Sequence, residues 1–196
     1  MVGGVIVAAL LAVWVSSVSE LSAQPLANVS NAPITVLVCD RAGVSGTDRI
    51  EAREIADRIL KRASVQMTWL DNRDCVGPQV ESYLTIVILP QRPKDFKTSS
   101  QAMGRATLIE SPHPRAYIFL DRVRRFDVLN RPLNARSNLG VLLGHAITHE
   151  LGHLLGLTHA SAGIMLAEWG REEWQAALSG TLLFSLTGAK SVELMR

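Results

Sequence analysis

Two hydrophobic rhythms alternate along this chain. Short β-branched runs, "ITVLVCD" (Ile34 to Asp40), "VQMTWLD" (Val65 to Asp71) and "YLTIVIL" (Tyr83 to Leu89), read as strands, the last apolar enough to be central. Between the first two, Ala52, Ile55, Ala56, Ile59, Leu60 and Ala63 recur at three-and-four spacing, which predicts a helix from a cap at Thr47 to about Ser64. On its outer face Glu54 with Arg58, and Asp57 with Lys61, are set for i,i+4 pairing. Strand, helix, strand at this spacing is a βαβ unit with parallel strands. "RATLIE" (Arg105 to Glu110) and "RAYIFLD" (Arg115 to Asp121) flank a turn with Pro112 and Pro114, and pair as a hairpin that places an antiparallel strand at the sheet edge. A second helix is expected from Ser137 or Asn138 to Leu155, and a short one from Arg171 to Leu178. The fold class is therefore α+β, with one mixed sheet, a backing helix and a second helix that proves to be special.

The first residues follow neither rhythm. Val2 to Val15 is continuously apolar, and Leu21-Ser22-Ala23 supplies a small-residue exit, so residues 1–23 read as a secretory signal peptide or a short anchor. No basic residue precedes Arg41, and the apolar core is shorter than a membrane-spanning helix needs. The expected location is secreted or periplasmic, with membrane anchoring as the alternative, and residues 24–196 form a single domain. Two cysteines, Cys39 and Cys75, fall at the ends of predicted strands. In an exported chain they suggest a disulfide, with two buried thiols as the alternative.

Composition narrows the class without naming it. The 196 residues are 47% hydrophobic and 19% charged, with net charge +2, which gives no case for nucleic acid as a partner. A monomer is expected.

The chemistry concentrates in "HAITHELGHLLGLTHASAGIM" (His145 to Met165), which holds four of the chain's five histidines. On a helical wheel Leu139, Leu142, Leu143, Ala146, Ile147 and Leu154 share an apolar stripe, and His145, His149 and His153 a neighbouring one. Glu150 falls inside the apolar stripe, where a carboxylate is costly unless something pairs with it. His149 and His153, one turn apart, can present two imidazoles to one ion, whereas His145 to His153 spans ~12 Å of axis and is too long for a third. Gly156 permits the left-handed residue that ends a helix, after which His159 can swing back. Three histidines with an open fourth position make a catalytic rather than a closed site, and Glu150 is placed to take a proton from water there. Glu172 or Glu173 in place of His159 is the rival third ligand. For this composition the full His-Glu-x-x-His-x-x-Gly-x-x-His pattern has chance odds on the order of 10⁻⁵, so it outweighs the short motif alone.

"HELGHLLGLTH" (His149 to His159) resembles the extended zinc motif of the metzincin metallopeptidases at every fixed position. "SAGIM" then supplies Met165 for the methionine turn, at a spacing similar to compact bacterial, matrixin-like members. The resemblance implies one catalytic Zn²⁺ held by His149, His153 and His159, Glu150 as general base and Met165 as an apolar floor. It also implies a peptide or protein substrate lying extended along an edge strand at residues 105–110. No tyrosine follows the methionine, so the side-chain oxyanion donor of some members has no counterpart. A metal-binding interaction module without turnover is the alternative. His145 and His113 read as ordinary polar residues, and Trp169 and Trp174 as cover for the lower core.

Overall fold

The computed structural model describes residues 32–72, 75, 83–107, 114–185 and 188. The N-terminal apolar segment, His113 and much of the expected hairpin turn lie outside them. Among the described residues no helix is long and apolar enough to cross a membrane.

Among the described residues five strands form one sheet: β1 (Ile34–Asp40), β2 (Met67–Asp71), β3 (Leu84–Leu89), β4 (Gly104–Thr107) and β5 (Arg115–Phe119), in the order β2-β1-β3-β5-β4. β2, β1, β3 and β5 run parallel, and β4 is antiparallel at the edge, so the sheet is mixed as the sequence suggests, with β3 at its centre. Side chains alternate across the pleat. Val36, Val38, Ile86, Ile88, Ala116 and Ile118 join the main core with the helices. Leu37, Cys39 and Val87 form a small cluster on the opposite face with Leu70, Cys75, Tyr83, Leu89 and Tyr117.

Among the described residues there are four helices: α1 (Gly46–Arg62) between β1 and β2, then α2 (Leu120–Asn130), α3 (Leu139–Leu154) and α4 (Arg171–Leu178) after β5. The cap of α1 is Ser45 rather than Thr47, its hydroxyl accepting from the Asp48 amide at 3.1 Å. Asp57 accepts from the Trp69 indole at 2.8 Å, tying α1 to β2 instead of serving a helix-surface pair with Lys61. Glycines bring α1 and α3 close. A Cβ on Gly144 would stand 2.6 Å from the Ala52 carbonyl oxygen and 2.7 Å from Ile55 Cβ.

Helix α2 is the element the hydrophobic pattern misses. Its buried positions are Leu120, Val123 and Asp127, so a carboxylate occupies a place on the stripe where an apolar residue would signal a helix. Asp127 is 1% exposed. It accepts from Arg131 at 3.0 Å, Ser137 at 3.2 Å, and the Asn138 amide and side chain and Trp174 Nε1, each at 3.3 Å. This one residue joins α2 to the start of α3 and to α4, satisfying a buried charge with donors.

Candidate metal centre

Helix α3 stops where its sequence tells it to. Gly156 adopts φ 86°, its N–H donates to the His153 carbonyl at 3.0 Å, and the Leu157 N–H donates to the Gly152 carbonyl at 2.9 Å. This is the Schellman arrangement, and it turns the chain so that Thr158 and His159 return toward the helix. His149 and His153 project from successive turns. Nδ1 of His149 donates to the Ile164 carbonyl oxygen at 2.6 Å, and Nδ1 of His153 to that of Leu157 at 2.8 Å. Protons held at Nδ1 leave the Nε2 lone pairs facing inward. His153 Nε2 lies 3.1 Å from His149 Nε2 and 3.2 Å from His159 Nε2.

That donor set fits one small cation. Nitrogens bound at the usual ~2.0–2.1 Å to a tetrahedral zinc would stand about 3.3 Å apart. Converging lone pairs with the protons parked on the far nitrogens repel one another, and a cation relieves that repulsion. His149 sits deepest and His159 is exposed, so the group opens on one side. Burial pushes His149 down to about 4 and lowers His153 as well, which keeps both rings neutral and ligating.

Glu150 points away from the main core and into the cleft beside the histidines. It is 5% exposed, and burial pushes its carboxyl up to about 8 against a hydrogen bond from the Ala106 backbone that lowers it. Its Oε2 has no hydrogen-bond partner. Ala106 belongs to the edge strand. The Phe119 N–H donates to the Met103 carbonyl at 2.8 Å, so residues 105 and 107 bond to β5 and the amides of Gly104 and Ala106 face outward.

The cleft encloses about 940 Å³ between β4, α3 and α2. Arg122, Arg125, Phe126 and Leu129 of α2 form a wall that sequence reading missed together with its helix. Trp169 also lines the cleft, its ring edge-on to His149 at 5.8 Å and tilted over Phe126 at 6.2 Å. Both tryptophans expected to cover the core pack against it, Trp174 buried and Trp169 partly buried with its remaining face on the cleft. Glu173 accepts from the Gly170 N–H at 2.8 Å and serves its own helix, so it is not part of the histidine group.

Met165 is 3% exposed and packs under α3. A Cβ on Gly152 would be 2.6 Å from Met165 Sδ and 3.2 Å from Phe184. The turn before it is tied to a later segment: the Ile164 N–H donates to the Leu183 carbonyl at 2.8 Å. Gly163, at φ 76°, leaves only 2.6 Å between its missing Cβ and that same oxygen. His145 is buried behind the site, with Nδ1 on the Val141 carbonyl at 2.8 Å, and takes no part in the triad. Cys39 and Cys75 are not bridged, contrary to the disulfide expected from the sequence. They lie side by side as thiols on the sheet's second face. Burial first, then the hydrogen bond to Cys75, pushes Cys39 up to about 12.

The fold and site thus define an α/β chain with three converging imidazoles, able to hold a metal ion, under an antiparallel edge strand. No protein-family model and no curated protein sequence matches the chain. Among solved structures it is similar to archaemetzincin from Methanopyrus kandleri, at 12% identity and a TM-score of 0.51, covering 87% of this chain and 98% of that one. It is also similar to metalloproteinase-II from Bacteroides fragilis, at 13% identity and a TM-score of 0.49, over 87% of this chain and 55% of that one. The first of these likenesses establishes a metzincin-like fold.

Proposed function

We propose that this chain is a zinc metalloendopeptidase of the compact, matrixin-like kind, with His149, His153 and His159 as ligands and Glu150 as general base. The observation that carries this reading is the buried Glu150 carboxylate, with one oxygen unpartnered, beside three converging imidazole nitrogens. A structural metal site needs no such base. A zinc ion held by His149, His153 and His159 would supply Lewis acidity for activating water and polarising a carbonyl. A cation's charge beside Glu150 would offset the burial that raises its carboxyl to about 8, so that Glu150 would be ionised, accept the proton of the attacking water and return it to the leaving amine. The rings of His149 and His153 are held by backbone carbonyls, so the ligand geometry is set before substrate arrives.

The substrate in this reading is a peptide or unfolded protein segment laid along β4, whose outward edge offers strand pairing beside the Ala106 N–H that Glu150 engages. Phe126 and Trp169 give the cleft an apolar floor for one of its side chains. Export through the N-terminal segment belongs to the same proposal, and the mass of the mature chain tests it: loss of residues 1–23 is expected.

Metal analysis and cleavage of a mixed peptide library test the function, comparing the full chain with Glu150→Gln. One zinc in both proteins, with cleavage reduced about 10²–10⁴-fold or more in the variant, is the expected result. Zinc in both and cleavage in neither would replace the peptidase with a metal-binding interaction module. A folded protein with no affinity for zinc would end both readings.

A further inference from the structure

Gly104 has no conformational reason to be glycine. It sits within β4 at an ordinary extended backbone, unlike Gly43 or Gly180, which take positive φ. Its reason is space. A Cβ there would fall 2.5 Å from Oε1, 2.7 Å from Cγ and 2.8 Å from Cδ of Glu150. Every one of these atoms belongs to the same carboxylate arm. Two residues along the same face of the strand, the Ala106 backbone donates a hydrogen bond to that carboxylate. The edge strand therefore offers a bare shelf and a donor at one spot, and Glu150 lies on it.

We infer that Gly104 and the Ala106 N–H form a cradle that positions the Glu150 carboxylate for proton transfer, making Gly104 a positioning residue of the reaction. The inference rests on the peptidase reading above. A methyl group at 104 meets no backbone and no core side chain among its three nearest neighbours. The flexible glutamate arm is what must yield. The cost therefore falls on where the base stands, not on whether the protein folds. A displacement near 1 Å of a reacting group can cost about 10²-fold in rate. The cradle also couples the base to the strand along which substrate lies, because the Gly104 amide faces outward beside it.

The test compares the parent chain, Gly104→Ala, Glu150→Asp, the double variant and Glu150→Gln, all zinc-loaded. For each, kcat, KM, zinc affinity by chelator competition and Tm are measured. Gly104→Ala is expected to lower kcat about 10²-fold, with KM, zinc affinity and Tm near the parent's. Glu150→Asp alone shortens the arm and lowers kcat similarly. In the double variant the shorter arm clears the added methyl, so the two losses should fall short of multiplying by at least about tenfold. Full multiplication of the losses, or unchanged kcat in Gly104→Ala, would overturn the cradle. A fall in Tm and zinc affinity that tracks the loss of kcat would overturn it too, since that is the behaviour of a merely structural glycine. If instead the parent chain cleaves nothing, or Glu150→Gln cleaves as well as the parent, the peptidase reading itself fails.

Discussion

Helix α3 carries two histidines one turn apart that do opposite things. His145 looks toward α1, buried, its Nδ1 on a carbonyl of its own helix and Arg58 near enough to disfavour its charge. His149 looks into the cleft, its Nδ1 on a carbonyl delivered by a turn fifteen residues downstream. One face of the helix is assembled from small and aliphatic residues that fit α1, with Gly144 against Ala52 and Ile55. The other breaks packing rules, placing a carboxylate and two imidazoles where leucines would be more stable. The same residue type is thus a packing unit on one face and a member of a converging imidazole group on the other, decided by what the chain brings opposite it.

Breaking the cleft side should have the largest effect. His159→Ala removes the ligand that returns after Gly156. Zinc affinity should fall by more than the ~10–100-fold typical of losing an outer hydrogen bond to a ligand, and activity with it. Chelator competition and peptide cleavage measure both, and normal zinc content with a normal rate would reassign the third ligand. On the packing side, Gly144→Ala should leave the rate per folded molecule intact but cost about 1–3 kcal/mol, because the new methyl meets the Ala52 backbone oxygen and a Cβ. Urea unfolding reads this. An unchanged midpoint would mean that α1 and α3 have room to part.

The smallest effect sharpens the comparison with pH. Burial holds His145 below its ordinary value of 6.5, so the unfolded chain takes up this proton before the folded one does. Stability contributed by the neutral ring is complete above pH 6.5 and lost as pH falls toward the folded value. His145→Gln should therefore flatten the acid limb of a urea-midpoint profile recorded with zinc bound. A limb as steep as the parent's would place the acid sensitivity elsewhere.

The grouping of the histidines was largely legible in the sequence because helical periodicity fixes where residues 149, 150 and 153 point, and Gly156 announces the turn that returns His159. The parallel βαβ unit was legible for the same reason: one uninterrupted stripe, Ala52 to Leu60, backs two apolar strands. Helix α2 was not. Its stripe contains Asp127, whose burial is tolerated through partners as distant as Trp174, and no local pattern reports a donor 47 positions away. The cleft wall went with it, and so did the place of Trp169, which depends on Phe126 being there. Gly104 was equally silent, since a glycine before a short edge strand reads as a loop residue until the Glu150 carboxylate is seen lying against it. The paired cysteines show the converse, a pattern that suggested a bond where the protein keeps two neighbouring thiols.

The tie between Ile164 and Leu183 gives the site an order of assembly. A ribosome delivers the complete histidine motif well before it delivers Leu183, the residue that braces the turn holding His149. A nascent or clipped chain ending short of Leu182 would contain every ligand and still lack the brace for one of them. Possession of the motif and possession of a braced histidine group are therefore separate events in the life of the polypeptide.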